Sequence, residues 1–309
     1  MKQLKNFLYT ILGMVLVICV FLYNKPIARF FMENFIYKND MVIHDANQYR
    51  LSLNVNYVKD TNRFSPKNKT ELLNIIYTII NNGWDEFTFF CADSYKECFE
   101  DTKSLTSNSD MLANFNNFVH PYNSFNRLLI DVNNFGKVHV TVEKMYTEEQ
   151  IKFINQEIDN IYPTIINDQM TIQQKIKAAH DYIINQTVYD SEGALNIKNK
   201  DFQNTKFTHI AYGTFKYHIA LCGGYSDAMA LFLNKMELPN YKISNEEHVW
   251  NLVNIDNQWY HIDLTWDDPV VNTHQNILLD HYFLITGQQI LSKDPIHHTF
   301  DQTIYQEGL

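Results

Sequence analysis

Ala220-Leu221-Cys222-Gly223-Gly224-Tyr225-Ser226-Asp227-Ala228, then Glu247-His248-Val249-Trp250-Asn251, then Trp259-Tyr260-His261-Ile262-Asp263-Leu264-Thr265-Trp266-Asp267-Asp268 are the segments on which the reading of this 309-residue chain turns. In chain order they supply a cysteine, a histidine and an aspartate. Those residue types suit thiolate catalysis, in which a base activates the nucleophile and a carboxylate orients the base.

Beyond Cys222, Ala228, Leu231, Phe232 and Met236 recur at helical spacing. They predict a buried amphipathic helix, ending near Glu237 because Pro239 disfavours helix at the residue before it. Cys222 then sits at the helix start. Free N–H groups and the positive dipole end favour a thiolate there and offer a site for an oxyanion. Gly223 and Gly224 carry no Cβ, so backbone or substrate can come close. Taken alone, Cys222 reads as a buried, inert thiol.

His248 to Ile255 alternates, as does Gln258 to Thr265, with Asp256-Asn257 between them as a two-residue hairpin turn. Ile255 then faces Gln258, Trp250 faces Asp263 and His248 faces Thr265. Strand side chains alternate faces, so His248, Trp250 and Asp263 share one face. His248 and Asp263 become diagonal neighbours, roughly 7–8 Å apart at the backbone. A one-residue bulge in the turn would separate them. Each residue alone reads as structural; the three together, each on the element its role needs, shift the balance to a site.

Cys-x-Gly-Tyr-x-x-Ala, His-x-Trp-Asn and Trp-Tyr-x-x-Asp-x-Thr-Trp-Asp-Asp resemble the core of the transglutaminase-like superfamily. The resemblance runs from about Thr171 to Thr286 and takes in His180-Asp181-Tyr182-Ile183, Tyr189-Asp190, Ala211-Tyr212-Gly213 and Tyr282-Phe283-Leu284-Ile285. It implies an α+β fold with a papain-like core: a helix bearing the cysteine, packed on an antiparallel sheet bearing the histidine and aspartate. It implies Cys222 as nucleophile, His248 as base and Asp263 as its orienter. By analogy Tyr212 supports the oxyanion, with Gly223, Gly224, Tyr225 and Trp250 as supporting or substrate-facing residues. Gly223 departs from the usual larger residue. Asn245-Glu246-Glu247 departs too, and its acidic pair is expected to raise the pKa of His248. The implied reaction is thioester acyl transfer on a protein or peptide amide, ending in crosslinking, deamidation or proteolysis. The alternative is a non-catalytic surface interaction module with a vestigial triad.

A net charge of −10 without a basic run argues against nucleic-acid binding. Phe7 to Tyr23 is almost wholly apolar between Lys2, Lys5 and Lys25, Arg29. The uncharged stretch from Asn6 to Asn24 approaches the length of a membrane span. No small residues mark a cleavage site, so residues 1–25 are expected to form an uncleaved transmembrane anchor contacting lipid through 7–23. The catalytic part is expected outside the cytoplasm in a single-pass cell-membrane protein, although flanking charge is nearly balanced.

Residues 26–45 read as a tether with an aromatic face (Phe30, Phe31, Phe35, Tyr37). Residues 46–146 read as a small α+β domain with strands at Tyr49–Val55, Glu86–Cys91, Arg127–Val132 and Lys137–Glu143, and helices at Lys69–Ile80 and Met111–Val119. Cys91 and Cys98 fit either a disulfide or two free thiols. Residues 147–309 read as the catalytic domain. Thr147 and Thr171 each open a capping box, the first helix running to Pro163 and the second burying Ile172, Ile176, Ala179 and Ile183. His180 beside that stripe reads as a packing or structural residue. Thr187 to Thr208 is a long polar loop expected to border the groove. Asp263, Asp267 and Asp268 read as a triad member and a turn rather than a cation site, and His297-His298 is only a weak metal signal. The proposed chemistry calls for no cofactor and no metal.

Overall fold

The computed structural model describes residues 2–23, a few positions between 27 and 35, and residues 40–198, 207–269 and 278–309. Phe30 and Tyr37 of the expected tether, Phe202 of the expected groove loop and most of the loop after Pro269 lie outside them. The chain begins with helix α1 (Lys2–Tyr23). Helix α2 (Lys69–Asn81) follows, its start capped by the Asn68 side chain. Strand β1 (Glu86–Phe90) leads to α3 (Cys98–Ser107) and α4 (Ser109–Asn117), then to β2 (Phe125–Val132) and β3 (Lys137–Lys144). These strands form an antiparallel sheet in the order β1-β3-β2.

Helices α5 (Glu148–Ile165) and α6 (Ile172–Gln186) come next. Both open on complete capping boxes, at Thr147 and Thr171. Helix α5 continues past Pro163, which lies in its last turn. Two short parallel strands, β4 (Val188–Tyr189) and β5 (Ile219–Ala220), flank helix α7 (Ser191–Lys198) and lead into α8 (Cys222–Lys235). A second antiparallel sheet has the order β6 (Asn240–Ser244), β7 (Val249–Ile255), β8 (Gln258–Ile262), β9 (Phe283–Ile285). Between β8 and β9 lies the short helix α9 (Leu264–Asp267), and α10 (Gly287–Lys293) follows β9.

The β7–β8 hairpin has the register the alternation predicts. Ile255 pairs with Gln258 and Asn251 with Ile262 without a shift. Its turn residues both have positive φ, 53° at Asp256 and 64° at Asn257. Such a turn has the twist that two antiparallel strands need.

The two faces of the second sheet enter different cores. Val253, Ile255 and Ile262 pack with α5, α6 and the Ala228–Leu233 stretch of α8. Tyr241, Ile243, Trp250 and Leu252 pack with residues from Val55 to Val142. Residues 46–146 therefore share their core with the sheet that carries His248. Across this junction Asn117 Nδ2 donates to Ser244 Oγ at 2.7 Å.

Several expectations change, and one open choice is decided. The expected loop from Thr187 to Thr208 carries β4 and α7, and the alternation from Gln258 to Thr265 leaves the strand after Ile262 because Asp263 caps α9. Tyr49–Val55 forms no strand. Leu51 instead satisfies its backbone through Asn81, donating its N–H at 3.0 Å and accepting from Asn81 Nδ2 at 2.9 Å. Cys91 and Cys98 are disulfide-bonded, and α3 starts at the second of them. The apolar N-terminal stretch is helical and its described side chains, among them Phe7, Leu12, Leu16 and Ile18, are exposed. Among the described residues, however, no helix is long and apolar enough to cross a membrane, so the expected transmembrane helix is not shown.

Candidate active site

Cys222 is the first residue of α8; Gly224 N and Tyr225 N donate to Leu221 O at 2.9 and 3.1 Å, which leaves the N–H groups of Cys222 and Gly223 without an intrahelical acceptor. Two glycines allow this helix start to slide under the segment 207–211. A Cβ on Gly223 would stand 2.5 Å from His209 O, and one on Gly224 would stand 2.6 Å from Thr208 O. Leu221 N donates to Thr208 O at 2.7 Å, and Thr214 Oγ1 donates to Gly224 O at 3.0 Å. Farther along the helix Asp227 is buried, accepting from Lys242 Nζ at 2.5 Å and Tyr146 OH at 2.6 Å. Ser226 Oγ donates to Val249 O, and Asn251 Nδ2 returns a bond to Ser226 O, both at 2.9 Å. The helix bearing Cys222 is thus fastened to the strand that follows His248.

Cys222 is a free cysteine and is half-buried. Its side chain acts on the His248 imidazole, adding to the pull of Asp263 on the ring proton. His248 Nε2 meets Asp263 Oδ2 at 2.5 Å, leaving the other ring edge for the thiol. Burial pulls the imidazole's proton affinity down, but the Asp263 charge and hydrogen bond, with Cys222 adding to them, push its pKa up to about 10. Glu246 and Glu247 are exposed and are not among the causes, so the expected role of that acidic pair is replaced by Asp263. Asp263 is fully enclosed. Burial raises its carboxyl, and the His248 and His298 contacts outweigh that, holding it well below the usual carboxylate range.

Asp263 is held on every side. Its N–H donates to Tyr282 O at 3.1 Å, and its Oδ1 caps α9 by accepting from Trp266 N at 3.2 Å. Its Oδ2 also meets His298 Nε2 at 2.8 Å. Asp267 accepts the Tyr282 N–H and meets His180 Nε2 at 3.2 Å. His180 is fully buried between Asp267 and Asp181, a structural tie. Asp268 accepts from Tyr225 OH at 2.5 Å, which joins the helix after Cys222 to the segment after Asp263. A ring nitrogen of His248, a carboxylate oxygen of Asp263 and a ring nitrogen of His298 lie within 4.8 Å of one another. That closeness is accounted for by the two hydrogen bonds, which a cation would have to break.

Trp250 is fully buried and stacks on His248. Tyr212 lies in an aromatic group with Phe153, Phe207 and Tyr217, ring centroids 5.7, 6.0 and 5.7 Å away. Three further residues neighbour the site, two of them in the quoted motifs. Tyr189, on β4, has its hydroxyl pKa raised by burial and then by the charges of Cys222, Asp190 and Asp263. Trp266, on α9 next to His248, keeps 36% of its surface exposed. His298 stands behind Asp263, far from any motif.

No family model and no curated protein matches this chain. Among solved structures it is similar to a crystal structure of a TGase, with a TM-score of 0.34 and 21% identity over 50% of this chain and 47% of that one. It is also similar to a candidate cysteine protease from Cytophaga hutchinsonii, with a TM-score of 0.28 and 12% identity over 45% of this chain and 61% of that one. The chain spans about half the length of the first.

Proposed function

We propose that this chain is a cysteine acyltransferase or hydrolase of transglutaminase-like type, acting on protein or peptide amides. The observation that carries the reading is His248 held by Asp263 at 2.5 Å, with its imidazole electrostatically coupled to Cys222 at the start of α8. The thiol passes its proton to His248, and the thiolate attacks the amide carbon. As the C–S bond forms, negative charge gathers on the carbonyl oxygen, which the N–H groups at the start of α8 stabilise. The C–N bond then breaks and His248 returns the proton to the leaving amine. Attack on the thioester by a second amine gives a crosslink. Attack by water gives deamidation of a side-chain amide or cleavage of a peptide bond.

The exposed apolar side chains of α1 (Phe7, Leu12, Leu16) support attachment to a lipid bilayer through this helix. The Cys91–Cys98 disulfide supports an extracytoplasmic location for the folded part.

The test is alkylation of Cys222 by iodoacetamide as a function of pH, with His248→Ala as control. It is followed by incubation with glutaminyl peptides, with and without an alkyl amine, to trap the acyl group. Thiolate reactivity well below the reference of about pH 8.5, lost in the control, and peptide turnover lost in Cys222→Ala are the expected results. A thiol that titrates normally in folded protein removes the enzyme reading and leaves a binding module.

A further inference from the structure

Asp263 Oδ2 is shared by two imidazoles. His248 lies on the side of Cys222, and His298 lies on the opposite, fully buried side. His298 uses its other ring nitrogen as well: Nδ1 meets Asp294 Oδ2 at 3.1 Å. Each nitrogen of this ring therefore faces a carboxylate oxygen. An ionised carboxylate only accepts, and a neutral imidazole has one N–H and one bare nitrogen. A neutral His298 would set a bare nitrogen against an anionic oxygen at one end or the other. We infer that His298 is a buried imidazolium bridging Asp263 and Asp294, and that it acts through Asp263 as a positioning residue that limits how tightly His248 holds its proton.

The surroundings agree with a positive ring. Asp294 accepts the N–H groups of Ile296 and His297 at 3.3 and 3.1 Å, and meets the His297 ring at 3.1 Å. Burial raises its carboxyl, and these bonds outweigh that and hold it below the usual range. Tyr282 stacks on His298 with centroids 4.7 Å apart, and Lys293 Nζ lies 5.1 Å from the centroid of that same Tyr282 ring. The other titratable neighbours are His248, with its ring centroid 5.6 Å away, and His261, which feels the charge of His298.

The consequence rests on the reading of His248 as the base of Cys222. A second cation on the same carboxylate oxygen opposes the proton on His248. Asp263 alone would favour the thiolate–imidazolium pair so strongly that returning the proton to a leaving amine would be slow. His298 offsets part of that bias, and also fixes the carboxylate that aims His248.

The experiment is nitrogen NMR of the full chain carrying ¹⁵N-labelled histidine, with His298 assigned through His298→Gln. Both ring nitrogens of His298 are expected to be protonated at neutral pH. In His298→Gln the titration of His248 should move up by about one pH unit, a tenfold gain in proton affinity. Asp294→Asn, which keeps an oxygen for the Ile296 and His297 N–H groups, should move it the same way. A bare ring nitrogen on His298 at neutral pH, or a His248 titration that stays put in both variants, overturns the inference. If His298→Gln does not fold, the wild-type spectrum and Asp294→Asn decide. Iodoacetamide on the wild type keeps the two readings apart. An inert Cys222 beside a doubly protonated His298 removes the enzyme and leaves the bridge standing.

Discussion

The Trp250 indole lies on the His248 imidazole, with ring centroids 5.5 Å apart and planes within 19°. Its Nε1 donates to His261 Nδ1 at 2.9 Å, and His261 Nε2 donates in turn to Gly308 O at 2.8 Å. The indole is therefore held in place, and it supports one face of the imidazole that Asp263 holds by its edge. This gives a physical role to a residue that the resemblance gives only as supporting or substrate-facing.

Trp250→Phe keeps an aromatic plane under His248 but strands His261 Nδ1. It should cost about 1–3 kcal/mol of stability and leave the alkylation rate of Cys222 within a few-fold of wild type. Trp250→Ala should cost about 3–5 kcal/mol and slow alkylation clearly in protein that is still folded. Urea denaturation paired with the iodoacetamide assay reads both. A folded alanine variant that reacts at the wild-type rate would show that the stack does not orient His248.

Asp263→Asn retains an oxygen to cap α9 while removing the charge. In the wild type the His248 imidazolium is supported below its ordinary pKa and up to about 10, and that support is lost as pH rises through about 10. In the asparagine variant the upper limit should fall toward the ordinary value of about 6.5. Turnover of amide substrate at neutral pH should drop by about 10²–10⁴-fold. On the acid side the sign reverses for the carboxylate itself. Asp263 is held below its ordinary range, so its stabilising contribution is present above about pH 4 and fades as pH falls further. A pH–rate profile unchanged in Asp263→Asn would remove Asp263 from the triad.

How much of this was legible depended on whether the signal was local. The hairpin could be read because Asp256-Asn257 tolerates positive φ and the flanking residues alternate, which together fix the register. The helix start at Cys222 could be read because its periodicity and its breaker lie within one segment. The alternation at Tyr49–Val55 misled: the backbone of Leu51 is paired by one asparagine side chain rather than by a neighbouring strand. Helix α3 has polar residues around most of its surface, and its start at the disulfide-bonded Cys98 leaves no periodic trace. His298 and Asp294 meet Asp263 only through tertiary folding, and no spacing in the chain announces that. The acidic pair Glu246-Glu247 shows the converse, since nearness in sequence to His248 brought no electrostatic effect on it.

The two glycines after Cys222 should not tolerate side chains. A Cβ at position 223 meets His209 O at 2.5 Å, and one at 224 meets Thr208 O at 2.6 Å and the Ala220 Cβ at 2.9 Å. All three are held by backbone, so the segment 207–211 must shift. Gly223→Ala and Gly224→Ala should each cost about 1–3 kcal/mol. The shift also moves the first N–H groups of α8, so peptide turnover should fall more than the alkylation rate, because only turnover needs the oxyanion site. Equal losses in both assays would show that the glycines serve packing alone.

His261 gives a prediction that is independent of catalysis. Its Nδ1 accepts the Trp250 Nε1–H while its Nε2 donates to Gly308 O, so the folded ring is neutral with its proton on Nε2. Burial, opposed by the Gly308 bond and reinforced by the charge of His298, lowers its pKa to about 4. The unfolded chain takes up a proton at its ordinary pKa of about 6.5, where the fold does not. Between roughly pH 4 and 6.5 the unfolded state therefore binds one more proton, and stability must fall as pH falls. Replacing the ring in His261→Gln removes that proton from the balance, whatever the variant loses in absolute stability. The plot of unfolding free energy against pH should become shallower by about one proton across this window, near 1.4 kcal/mol per pH unit. His120, lowered to about 3 by burial and then by Lys242, contributes to the same slope and remains in the variant, so a residual acid dependence is expected. An unaltered slope would mean that His261 is already charged in the fold. Its Nδ1 would then have no lone pair for Trp250, and the lock on the indole beneath His248 would have to come from elsewhere.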